Sequence, residues 1–148
     1  MRWSPSVTVA AVIRRDDRYL MVEERPSSVR VINQPAGHVE FDESPLQAVQ
    51  REVLEETGRS FTAQSLLGIY QWTVPDTQRT YLRFCFTGTV GELLPDATID
   101  PDILGQHWLT REQVAHGALP PRSPMVLRCI DDAASETGIA PAFIHVLG

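Results

Sequence analysis

A chain of 148 residues is the length of one ordinary globular domain, and 43% hydrophobic against 22% charged residues is too apolar for a disordered one. No apolar run reaches the ~18 residues of a transmembrane helix, and Met1-Arg2-Trp3-Ser4-Pro5 lacks the apolar stretch of a secretory signal. Thirteen basic against nineteen acidic residues give a net charge of −6, with no lysine, which argues against a nucleic-acid backbone as partner.

Val7 to Ile13, a polar turn at Arg15-Asp16-Asp17-Arg18 and a second apolar run from Tyr19 to Glu23 predict a β-hairpin or two adjacent strands. Residues 25–30, with Pro26, Ser27 and Ser28, read as a loop. A short strand from Val31 to Gln34 is expected to end at Pro35-Ala36-Gly37.

The clearest element is a helix from Pro45 to Thr57. Ser44 supplies an N-cap oxygen, Pro45 suits the first helical position, and Gln47 completes a capping box. Gly58 can take the left-handed conformation that closes the helix. Leu46, Val49 and Val53 share one stripe and are expected to face the core.

Two strands, Leu66 to Trp72 and Tyr81 to Phe86, flank a turn at Pro75–Arg79. Gln106 to Leu109 reads as a last short strand. Thr110 with Gln113 opens a brief helix, and Ser123-Pro124 opens another, with Met125, Val126, Cys129 and Ile130 on one side. The tail beyond Gly138 has no clear assignment. Strands mixed with three helices without regular alternation predict an α+β sandwich and not a doubly wound sheet. Cys85 and Cys129 form neither a disulfide framework nor a zinc site, so a reduced cytoplasmic protein without a membrane partner is expected.

The chemistry concentrates on the first helix. Glu52, Glu55 and Glu56 stand at i, i+3 and i+4, so the three carboxylates fall within roughly 100° of helical arc. Like charges so placed repel unless a cation joins them, and oxygen-rich clusters suit Mg²⁺. A solvated glutamate face is the alternative. Divalent cations held there would let this acidic protein bind a small polyphosphate.

The stretch from Gly37 to Gly58 resembles the Nudix box, G-x5-E-x7-R-E-U-x-E-E-x-G-U, in which U is a bulky aliphatic residue. Gly37, Glu43, Arg51, Glu52, Val53, Glu55, Glu56 and Gly58 match at every spacing. Arg59 stands at the final U, with Phe61 two places on. The resemblance implies an α/β/α sandwich around a mixed β-sheet, forming a single domain over residues 1–148, with residues 131–148 outside the similarity. It also implies Mg²⁺- or Mn²⁺-dependent hydrolysis of a phosphoanhydride. Glu52 and Glu56 look like the main metal ligands, with Glu55 a further ligand or orienter, and the Ala36 carbonyl is similar to another. Arg51 looks like the residue that holds the carboxylates, and Gly37 and Glu43 like the support of the loop.

The flanks are similar to a bacterial branch of that family. Asn33-Gln34-Pro35-Ala36-Gly37-His38, Gln71-Trp72, Leu82-Arg83-Phe84 and Arg122-Ser123-Pro124 carry this likeness. It implies hydroxymethylpyrimidine pyrophosphate, thiamine pyrophosphate and nucleoside di- and triphosphates as substrates, with phosphate released. Cleavage of ADP-ribose or a sugar nucleotide is the alternative, and a non-catalytic ligand-sensing module is a third.

Arg83 alternates with apolar neighbours, so it points away from one apolar face and is a candidate phosphate contact or a surface ion pair. His38 and Arg122 are further substrate candidates. Trp72 and Tyr70 would stack on a ring or pack in the core. Trp108 is expected in the core, His107 in a structural role, and Cys85 as a buried small side chain. The proton acceptor is a box glutamate, or Asp100 or Asp102 in the loop before the last strand. The pattern leaves monomer and dimer undistinguished.

Overall fold

A computed structural model of the protein describes residues 2–135 and 138–148. Among these residues the order is β1 (Ser6–Arg15), β2 (Arg18–Glu24), β3 (Val31–Asn33), β4 (Ala36–His38), α1 (Pro45–Thr57), β5 (Phe61–Thr73), β6 (Thr80–Val90), β7 (Gly105–Thr110), α2 (Arg111–His116) and α3 (Pro124–Ala134). A single 3-10 turn covers Pro141–Phe143.

The sheet is mixed. β1 runs parallel to β6 and antiparallel to β4, while β5 pairs antiparallel with β6. Only the last residues of β1 pair with β2, where Arg14 faces Tyr19, and β2 in turn carries β3 and β7 as antiparallel neighbours. Cross-strand partners point to the same face. Ala36 and His38, Thr8 and Ala10, Tyr81, Arg83 and Cys85, and Tyr70 and Trp72 therefore share one face. Val9, Ala11, Phe84 and Phe86 share the other.

Each face buries its own core. Val9, Ala11, Ile13 and Phe86 pack against Ala48, Val49 and Val53 of α1. Ala10, Val12 and Cys85 pack against Val126, Cys129 and Ile130 of α3, with Val114 of α2 joining them. The result is the α/β/α layering expected from the sequence, with α+β composition.

Local signals set α1 where the sequence places it. Ser44 Oγ accepts from Gln47 N–H at 3.1 Å, Gln47 Oε1 accepts from Ser44 N–H at 3.0 Å, and Gly58 closes the helix at φ 70°. Three differences arise elsewhere. The chain does not leave the sheet after Pro35: Ala36–His38 re-enter it as β4 beside β1, a partner far away in sequence. β5 and β6 run well past their expected ends, because register shifts at Ala63/Ser65 and Leu66/Gly68 break the alternation that marks a strand. The tail returns to the sheet, with Ile139 and Leu66 exchanging backbone hydrogen bonds of 2.7 and 2.9 Å.

Candidate active site

α1 lies on one face of the sheet, yet Glu52 and Glu56 line a cleft together with residues of the other face beside β4. That arrangement depends on Gly37, because any side chain there would collide with the Glu52 carboxyl group. The cleft has a volume of about 860 Å³, within the range of small-molecule sites. Ala36, Gly37, His38, Glu52 and Glu56 line one wall. Thr8, Arg83, Tyr81 and Trp72 form the sheet-side floor and far wall, with Arg79 and Arg122 also contributing.

Arg51 organises the acidic wall. Its Nε and Nη2 donate to the two oxygens of Glu43 at 2.6 and 2.9 Å, and Nη1 donates to Glu52 Oε1 at 2.8 Å. Nη2 also donates to the His38 carbonyl at 3.0 Å, tying the helix to β4. Glu43 returns the support by accepting from Glu40 N–H at 3.0 Å. The Arg51 hydrogen bond holds the Glu43 carboxyl below the usual carboxylate range.

The three box glutamates end in different surroundings. Glu56 is 7% exposed and accepts from Ala36 N–H at 2.9 Å. Burial pushes its carboxyl up to about 9, helped by the charges of Glu24, Glu52 and Asp100, while the Ala36 bond opposes the rise. Burial also raises Glu52, partly offset by Arg51. Glu55 stands apart, with its side chain 46% exposed, bonded to Arg51 Nη1 at 3.2 Å and outside the cleft lining.

No group of three His, Cys, Asp or Glu side chains forms a ready-made cation cage among the described residues. The donor chemistry nevertheless fits a hard divalent cation. Glu52 and Glu56 line the same partly dry wall, where burial disfavours their charged forms, and a divalent cation would favour those forms. The gap at Gly37 keeps the Glu52 carboxyl against the β4 backbone.

His38, Trp72, Arg83 and Arg122 all line the same cleft. Trp72 stacks on Tyr81, ring centroids 6.4 Å apart and planes at 17°, and His38 lies 6.5 Å from the same Tyr81 ring. Partial desolvation and the charges of Arg79 and Arg122 lower the His38 pKa. Arg122 is ion-paired with Glu24.

Other candidates lie elsewhere. Tyr70 is held by Asp132 of α3, with its hydroxyl donating at 2.7 Å, and is not part of the cleft. His107 pairs with Glu23 at 3.1 Å in a separate hollow. Asp100 N–H donates to the Glu55 carbonyl at 2.8 Å, and Asp100 Oδ1 accepts from Asp102 N–H at 2.9 Å. Asp100 is thus tied to α1, and its charge is felt at both Glu52 and Glu56. Trp108 packs half-buried beside the α1 core under Arg15, and Cys85 is fully buried. Arg59 reaches the Gly91 carbonyl at 2.9 Å, leaving Phe61 to fill the core.

Sequence reasoning missed Tyr81, Arg79 and the holders of Arg83. The alternation Tyr81-x-Arg83 carried the signal for Tyr81, since both residues share one face of a strand.

The NUDIX domain pattern matches residues 4–129. The chain belongs to the Nudix family. Phosphatase NudJ of Escherichia coli (strain K12) is 38% identical over 128 residues, which cover 86% of this chain and 82% of NudJ. A NUDIX hydrolase from Nitrosomonas europaea has a TM-score of 0.92 and 43% identity, covering 97% of this chain and 98% of that one. An ADP-ribose pyrophosphatase from Streptococcus suis 89-1591 has a TM-score of 0.65 at 21% identity, over 93% of this chain and 98% of that one. At that identity the likeness shows the Nudix fold alone. As a Nudix hydrolase the chain acts on acid anhydrides in phosphorus-containing compounds, and Nudix enzymes generally use divalent metal ions. No helix among the described residues is long and apolar enough to cross a membrane.

Proposed function

We propose that this chain, acting as one Nudix domain in the reducing cytoplasm, is a Mg²⁺-dependent phosphatase of small phosphoanhydrides. Its substrates are hydroxymethylpyrimidine pyrophosphate, thiamine pyrophosphate and nucleoside di- and triphosphates, from which it releases orthophosphate. One observation carries the reading. A single cleft joins the Glu52 and Glu56 carboxylates to an aromatic wall of Trp72 and Tyr81, so one ligand can meet both with its phosphates and its ring. The 38% identity to Phosphatase NudJ supports release of phosphate.

Glu52, Glu56 and the Ala36 carbonyl would hold Mg²⁺, or Mn²⁺ in its place, with Glu55 steadying Arg51. The cation would neutralise phosphate charge and acidify a water molecule. The chain's own residues do the rest. Arg51 and Glu43 orient the carboxylates, and Gly37 leaves them room. Trp72 stacks on the ring, His38 meets it as a neutral imidazole, and Arg83 and Arg122 face the phosphates. A box glutamate or Asp100 accepts the proton, Asp102 serving to fix Asp100.

A panel of these compounds and ADP-ribose, assayed with Mg²⁺, tests the reading. Orthophosphate from the pyrimidine pyrophosphate, thiamine pyrophosphate or a nucleoside diphosphate supports it. AMP and ribose phosphate from ADP-ribose, without orthophosphate from the others, would replace it with a sugar-nucleotide pyrophosphatase. No turnover of any compound would leave a binding module.

A further inference from the structure

Arg83 sits in the middle of the sheet, 4% exposed, with Thr8 and Tyr70 as its cross-strand neighbours. A guanidinium so deep normally faces a carboxylate, because an unpaired buried charge is costly. Here its partners are two amide oxygens and a thiol, and none is a carboxylate. Nη1 donates to Gln34 Oε1 at 2.9 Å and lies 3.8 Å from Cys129 Sγ, and Nη2 donates to Asn33 Oδ1 at 3.1 Å. The Nε atom is buried without any hydrogen-bond partner. No ion pair to Arg83 exists among the described residues. The side chain nevertheless forms part of the cleft wall.

The other cleft cations are differently placed. Arg122 is neutralised by Glu24, and Arg79 is exposed at the Tyr81 ring, bonded to Ser6 Oγ at 2.8 Å. Arg83 is also held rigidly, since Gln34 is itself fixed by donating to the Val126 carbonyl of α3 at 2.8 Å. Asn33 and Gln34 immediately precede Pro35-Ala36-Gly37, so one short segment positions both the guanidinium and the β4 backbone beside the glutamates. A preorganised positive charge without a counter-charge, in the wall of a cleft, is an anion receptor.

We infer that Arg83 binds a phosphate of the substrate that the glutamate-held cations do not hold, and that this bound phosphate is its counter-ion. The inference rests on the reading of the cleft as a phosphoanhydride site. It assigns the two phosphate groups of such a ligand to different holders, one to the acidic wall and one to Arg83, with the ring against Tyr81 two residues away on the same strand face. Orthophosphate, the product, would occupy the same receptor.

The test uses the full chain in excess EDTA, so that cation-mediated binding is removed, and inorganic phosphate as probe. Phosphate should raise the melting temperature of the wild type saturably, while chloride at equal ionic strength should not. Arg83→Gln should lose that response, Arg83→Lys should keep part of it, and Glu56→Gln should retain it. The Arg83 Nε–Hε resonance of the wild type should also shift as phosphate is added, a reading that needs no variant. An unresponsive wild type, a stationary Arg83 resonance or an undiminished response in Arg83→Gln would overturn the inference. With Mg²⁺ present, Arg83→Gln should raise KM for a diphosphate substrate tenfold or more. Phosphate binding on Arg83 without turnover of any panel compound would overturn the proposed activity and leave the receptor standing. Turnover without phosphate binding would do the reverse.

Discussion

Arg51 holds Glu43 by two parallel hydrogen bonds, Nε to Oε2 at 2.6 Å and Nη2 to Oε1 at 2.9 Å, and still has Nη1 free to grip Glu52. A planar fork can do this and an ammonium cannot. Arg51→Lys is therefore expected to keep the fold but lower cation affinity or kcat/KM by ~10–100-fold, as for other residues that orient metal ligands. Mn²⁺ titration by calorimetry and steady-state kinetics check it. Values within twofold of the wild type would remove Arg51 from this role.

Gly37 matters for the space it leaves beside Glu52, since its backbone is not in the left-handed region. Gly37→Ala should displace the Glu52 carboxyl and abolish most turnover while circular dichroism stays unchanged. Full activity in this variant would show that the carboxyl need not lie against β4.

Glu56 gives the cation-free protein a pH dependence of definite sign. Its carboxyl titrates at about 9 in the folded state against an ordinary 4.5, so the folded chain holds a proton that the unfolded chain has lost between those values. Stability contributed by this group is full below the ordinary value and is lost as pH rises through 9. Melting temperatures in EDTA should fall across that window, and Glu56→Gln should flatten the decline. Binding of Mg²⁺ near neutral pH should release protons, measurable as buffer-dependent binding heats. Equal heats in buffers of different ionisation enthalpy would contradict this.

His38 is held neutral by desolvation and by Arg79 and Arg122. Its ring should titrate below 6.5 by NMR, and Arg79→Gln should move the titration upward. In stability, a lowered histidine pKa favours the folded state above the ordinary value and penalises it as pH falls below. A His38 titration that ignored Arg79→Gln would rule out its charge as a cause.

The cap of α1 is separate from the chemistry. Ser44→Ala removes the acceptor of Gln47 N–H and should cost about 1 kcal/mol. Urea unfolding should show the loss with KM unaltered, because Glu52 and Glu56 lie at the other end of the helix.

Much of α1 is dictated by neighbours in the chain. Ser44, Pro45, Gln47 and Gly58 mark its ends locally, and 3.6-residue periodicity turns Val49 and Val53 to the core and sets the three glutamates on one arc. The family pattern and the acidic character of the site were legible for the same reason. Tertiary structure alone separated those glutamates, burying Glu56 under β4 and leaving Glu55 in solvent. It also recruited Tyr81 and gave Asn33 and Gln34 their task of holding Arg83. Those outcomes turn on which strands pair and in what register, and β1 meets β4 and β6 only after the intervening chain has folded back. Periodicity reports which way a side chain faces along its own element; what stands opposite is decided by pairing between distant segments.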